Sequence, residues 1–226
     1  DTATNSATID LGGNVRFADD GPSVTVTAGS DAAVLLTTQD AETDGVPTDN
    51  DVSTANFAGV FSNTPVYGAD GAGTTVMSYA LSLNVVEGSD SNLDSNGVQI
   101  NLFQLADGTI VGATGNVEPA TATAANVVFS IAVNSVTGEV TLTQRQEIDH
   151  ALPGSSSSYD TQLATLANGL VNLTATALTT DGDGDTATNS ATIDLGGNVR
   201  FADDGPSVTV TAGSDAAVLL TTQDAE

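Results

Sequence analysis

The sequence predicts an all-β protein, an antiparallel β-sandwich copied in tandem. Three observations carry this expectation. Residues 1–42, Asp1 through Glu42, recur letter for letter as residues 185–226, an offset of 185 − 1 = 184 residues. The apolar pattern has a period of two, as in Ser23-Val24-Thr25-Val26-Thr27, which sends alternate side chains to opposite faces of a strand. Turn residues separate the short apolar runs at close intervals, the layout of two sheets sharing one core.

The repeat sets the domain size. A period of 184 residues is too long for a solenoid unit that buries its core only against neighbours, and it suits one self-contained bead with a radius of gyration of roughly 16 Å. The first strand is Ser23 to Thr27, and Val76 to Leu83 alternates in part. Asp107-Gly108 joins Ile100–Leu105 to Thr109–Val111, and Thr137-Gly138 joins Val127–Val133 to Glu139–Thr143; both read as hairpins. A third hairpin pairs Leu170–Leu178 with Thr186–Leu195 around an acidic glycine turn, Asp181 to Asp185. Asp160 to Ala167 leaves strand and helical turn both open, because Leu163 and Leu166 are three apart. The polar stretch Asn84–Gly97 and the Ala- and Thr-rich stretch Gly112–Asn126 read as loop elaborations, and Ser155–Ser158 as a loop tip.

Asp19-Asp20-Gly21-Pro22, repeated as Asp203-Asp204-Gly205-Pro206, breaks strand and helix alike. The boundary is placed there. Residues 1–18 are then the tail of a preceding repeat, 19–202 one complete sandwich, and 203–226 the start of the next copy.

Composition excludes several function classes. Three basic residues, Arg16, Arg145 and Arg200, stand against 29 acidic ones, for a formal charge of −26. Nucleic acid and anionic membrane surfaces both demand many cations, so neither is an expected partner. No apolar stretch approaches the roughly 18 residues of a membrane span, so no insertion is expected. Acidity with only 4% aromatics could signal disorder, but 39% hydrophobic residues in alternating strands argue for folding. There is no cysteine, so a secreted module would need another staple, and bound metal is the natural one.

Asp181-Gly182-Asp183-Gly184-Asp185 places carboxylates at i, i+2 and i+4, with glycines free to curl the backbone around an ion. Hard oxygen donors at this spacing suit Ca²⁺. The EF-hand match is incomplete, since Thr186 and Thr192 occupy the glycine and glutamate positions; this is a calcium turn in a β-hairpin. Further candidate ligands are Asp149 and Asp160 around the serine loop, Asp40, Glu42 and Asp44 with the same alternate spacing, and the junction pairs Asp19 with Asp20 and Asp203 with Asp204. Without cations these acidic loops repel one another. With extracellular affinities and calcium near 10 mM, each tight site adds roughly 2 to 3 kcal/mol.

Enzyme readings find little support. Without lysine there is no Walker A loop and no Schiff base, and Asp70-Gly71-Ala72-Gly73-Thr74-Thr75 reads as a turn. The single histidine, His150, reads as structural, and neither a Gly-x-Ser-x-Gly elbow nor a His-Glu-x-x-His helix occurs.

Leu173-Thr174-Ala175-Thr176, Thr180 to Thr188 around the glycine turn, and Val199-Arg200-Phe201-Ala202-Asp203-Asp204-Gly205-Pro206-Ser207, together with Ala55–Val60-Phe61, Tyr67–Gly73 and Ser78–Leu83, occur in a fixed order along the chain. This order resembles the repeated domain of giant type I secreted RTX (repeats-in-toxin) adhesins of Gram-negative bacteria. The resemblance implies an Ig-like sandwich stiffened by Ca²⁺, an extender that holds a distal adhesive domain away from the cell surface, with neighbouring identical repeats as its partners. The nonapeptide repeats of the RTX β-roll are absent. The alternative is a calcium-dependent module for a glycan or cell-surface ligand, whose multiplicity would supply avidity.

Overall fold

Alternating apolar residues become strands almost wherever the sequence sets them at every second position. The computed structural model describes residues 1–40, 43, 50–150, 162–203 and 210–224. Among these the strands are β1 (Ser23–Ala28), β2 (Leu36–Gln39), β3 (Asp51–Asn56), β4 (Phe61–Val66), β5 (Thr74–Leu83), β6 (Ser89–Ser95), β7 (Val98–Gln104), β8 (Ile110–Thr114), β9 (Val127–Val133), β10 (Glu139–Gln144), β11 (Leu163–Thr165), β12 (Val171–Thr180), β13 (Thr186–Asp194) and β14 (Val199–Ala202). A 3-10 turn, Ala58–Val60, leads into β4. The described residues contain no α-helix, and so none that could cross a membrane.

The protein is an all-β sandwich. One layer is a six-stranded antiparallel sheet in the order β3-β10-β9-β8-β7-β6. Facing it are the sheets β13-β12-β5 and β11-β14-β2, with the pair β1-β4 beside them. The main core joins Phe129 and Ile131 of β9, Leu142 of β10, Leu173 and Ala175 of β12, and Phe201 of β14. The Phe129 and Phe201 rings meet with centroids 5.1 Å apart, a contact worth roughly 1 kcal/mol beyond its buried area.

The outer face of the six-stranded sheet is buried too, which explains the near-continuous apolar run of β9. Phe103, Val111 and Val127 pack there beneath Ala122 and Ala124. The Ala- and Thr-rich loop is therefore a cover whose small side chains fit closely over a flat sheet. Gly112 serves the opposite face, where a Cβ would stand 2.2 Å from the Phe129 ring.

Three expectations change. Residues 112–114, read as the start of a loop, complete β8 in register with β7. Asn84–Gly97 is not a plain loop, because it contains β6, hairpinned to β7 through Asn96 and Gly97 in left-handed conformations. The alternation was present, but Ser91 and Ser95 occupy buried positions with Leu93, so the pattern was polar. In the ambiguous stretch, Leu163–Thr165 is a strand paired with β14, because a tertiary partner outweighs the i, i+3 leucine spacing.

Candidate cation sites at the approach and exit of the chain

Strand register brings three acidic segments together at the glycine turn. The β12–β13 hairpin closes at Thr180 opposite Thr186, and β5 lies on the other side with Thr74 opposite Thr180. The loop 68–73 therefore ends against the turn. β1 pairs with β4 so that Ser23 stands opposite Val66, which sets the approaching Asp19 and Asp20 beside the departing Gly68 to Asp70. The packing tolerates no side chain. A Cβ on Gly73 would lie 1.8 Å from the Thr180 carbonyl oxygen, and one on Gly182 would lie 2.2 Å from that of Asp70.

Within this convergence Asp181 organises the turn. It is 5% exposed. Its Oδ1 accepts the backbone N–H of Gly184 at 3.1 Å and of Asp185 at 2.8 Å, while its Oδ2 is buried without a partner. Asp181, Asp183 and Asp185 each offer an oxygen within 4.8 Å of the others, and Asp19, Asp70 and Asp183 form a second such set. Asp20 joins them indirectly, since its Oδ2 accepts the N–H of Ala69 at 3.0 Å.

Crowding shows in the acidities. The Asp183 pKa is raised by its hydrogen-bonding contact with Asp181, then by desolvation and the charges of Asp181 and Asp70. That of Asp185 is raised by its contact with Asp19, then by the charges of Asp19 and Asp183. Both groups hold protons more tightly because neighbouring carboxylates disfavour the anion. A divalent cation would supply the missing positive charge, and hard oxygen donors around one buried, preorganised carboxylate are the donor type that Ca²⁺ takes.

A second cluster forms where the chain leaves the sandwich. β2 and β14 run parallel with Ala202 opposite Gln39, so the next residues, Asp203 and Asp40, emerge side by side. His150 completes a set whose donor atoms lie within 4.8 Å of one another. Gln144 Nε2 donates to Asp40 Oδ1, and the Ile148 N–H reaches both Asp40 oxygens at 3.3 Å. Burial alone would lower the His150 pKa, but the Asp40 carboxylate, assisted by Asp203 and Asp149, holds it above the ordinary histidine value.

The remaining predicted ligands fall elsewhere. The Asp149 carboxylate accepts the N–H groups of Asn96 at 2.8 Å and Gly97 at 2.7 Å, and so pins the β6–β7 turn. Glu42, Asp44, Asp160 and Asp204 lie outside the described residues. Sequence reasoning missed Asp70 and His150. Asp70 had a usable signal, an acid between closely spaced glycines; His150 had none, because its partners come from distant strands.

The family described as Domain of unknown function (DUF5801) matches residues 23–196. The chain belongs to this family. No curated protein and no solved structure matches it. The DUF5801 match begins at the first residue of β1 and stops short of β14, so Asp19 and Asp203 both lie outside it. The DUF5801 domain also carries a cleft of about 500 Å³ lined by Asn50, Asn96, Thr123, Arg145, Gln146 and Glu147 among others, with no aromatic ring among the described residues of its wall.

Proposed function

We propose that this chain is a window of a tandem array of extender modules, a structural spacer stiffened by Ca²⁺ that projects the adhesive part of a giant RTX-type adhesin from a Gram-negative cell surface. One observation carries the reading. Asp19 and Asp203 are the same residue of the repeat, since 203 − 19 = 184. Yet Asp19 joins the glycine-turn cluster at the approach, and Asp203 joins Asp40 and His150 at the exit. In an array every junction aspartate would then stand between the exit cluster of one sandwich and the approach cluster of the next. Calcium bound on the approach side would fix the junction and turn a hinged string into a rod. An absence of lysine and a formal charge of −26 suit a solvated spacer better than a catalyst.

Small-angle scattering from a chain of several repeats tests this. The expected result is a large maximum dimension in millimolar calcium that contracts in chelator as junctions begin to hinge. An unchanged scattering profile would contradict it. For the glycan-binding alternative, the described residues of the cleft wall supply hydrogen-bonding groups but no stacking surface, which supports the spacer reading.

A further inference from the structure

We propose that Asp40, His150 and Asp203 bind a divalent transition-metal ion of the zinc type, in a site separate from the calcium cluster of the glycine turn, and that this ion clamps the departing chain to the end of β2. The proposal does not rest on the calcium reading, because a different donor set carries it. The His150 side chain is 6% exposed and that of Asp40 4%. His150 Nε2 lies 3.4 Å from Asp40 Oδ2, an ion-pair distance without hydrogen-bond geometry. Asp203 Oδ2 is likewise buried without a partner. Two of the three side chains thus carry a buried polar atom outside any hydrogen bond, and all three offer a ligand atom within 4.8 Å of one another.

The geometry suits a small ion. Metal–ligand bonds of about 2.1 Å in a tetrahedron put neighbouring donors about 3.4 Å apart, and the Nε2–Oδ2 separation is 3.4 Å. Supporting contacts are in place, since Gln144 Nε2 donates to Asp40 Oδ1 and the Ile148 N–H reaches both of its oxygens, which fixes the carboxylate. Charge points the same way. A protonated imidazole would neutralise one of two adjacent carboxylates and leave the other uncompensated, whereas a divalent ion with neutral imidazole balances both. Donor type excludes calcium, which takes six to eight oxygens, while an imidazole with two carboxylates favours zinc and its neighbours. A fourth position stays free for water.

The test uses the whole chain, made without a histidine tag and kept in millimolar calcium to occupy the oxygen-only sites. Zn²⁺ is titrated calorimetrically, and the imidazole resonances are followed by NMR, where the single histidine leaves no assignment ambiguity. The expected result is one equivalent of Zn²⁺ bound, imidazole signals that move with zinc but not with calcium, and binding weakened about 100-fold or more in His150→Ala. That variant should keep its stabilisation by calcium. Imidazole signals unmoved by zinc, displacement of zinc by calcium, or undiminished zinc binding in His150→Ala would each overturn the proposal. The NMR arm reads the unaltered chain and so does not depend on the variant folding.

Discussion

The two copies of the 42-residue repeat have one sequence and opposite fates. In the first copy the leading half is bare: Phe17 is 94% exposed, and residues 1–18 form no strand. In the second copy the same residues are β13 and β14, and Phe201 is 0% exposed. The trailing halves reverse the pattern, with Leu36 at 0% inside β2 and Leu220 at 99%. Local propensity is identical in the two places, so it does not decide the outcome. What differs is the presence of β12 to receive β13, and of β11 and β2 to flank β14. A strand of Val, Thr and Ala forms when its face has a sheet to cover, which is the general sense of β-propensity.

The strongest way to break this comparison is to substitute the same repeat position twice. Phe201→Ala should cost about 3 to 5 kcal/mol in urea unfolding, as expected for a buried ring in the core, and Phe17→Ala should fall within about 0.5 kcal/mol of the parent. Equal effects would mean that the first copy is packed after all. Next in size is the junction pair. Asp19→Asn should remove most of a calcium stabilisation of roughly 1.4 to 2.7 kcal/mol at about 10 mM. Asp203→Asn should leave it nearly intact, since Asp203 stands with Asp40 and His150 and not with the glycine turn. Melting curves with and without calcium distinguish the two.

The smallest expected effect is a pH dependence. In the folded chain Asp183 and Asp185 have raised pKa values, so without cations the native state binds more protons than the unfolded one through the carboxylate range. Their protonation therefore stabilises the fold at low pH, and that stabilisation is lost as the pH rises through the folded pKa values. In chelator, Asp183→Asn or Asp185→Asn should raise the melting temperature at neutral pH, with the gain vanishing on acidification. In calcium the same substitutions should lower it. Parallel pH profiles for variant and parent would show that the crowding has no thermodynamic consequence.

Much of the fold was legible because the informative residues are local. Val24 and Val26, the Asp107-Gly108 and Thr137-Gly138 turns and the 181–185 hairpin each carry their own signal, and each lies where the alternation puts it. Strand β6 was hidden because serines fill its buried positions. The sites were half legible. Asp181, Asp183 and Asp185 advertise themselves by spacing, and the structure brings to them Asp19, read as a junction ligand, and the unforeseen Asp70, through the register of β1 with β4 and β5 with β12. His150 read only as structural, because the parallel pairing of β2 with β14 that creates its surroundings joins residues more than 150 positions apart, as Leu36 with Val199.

Calorimetric melting of the 226-residue chain in chelator and then across a calcium series measures the central claim most directly. If Asp19, Asp70, Asp181, Asp183 and Asp185 share a cation, the melting temperature should climb with the logarithm of calcium concentration, by about 5 to 10 °C at the upper end for one occupied site. The same climb should be largely absent in Asp181→Asn. A melting temperature indifferent to calcium, or one that climbs equally in Asp181→Asn, would contradict the account.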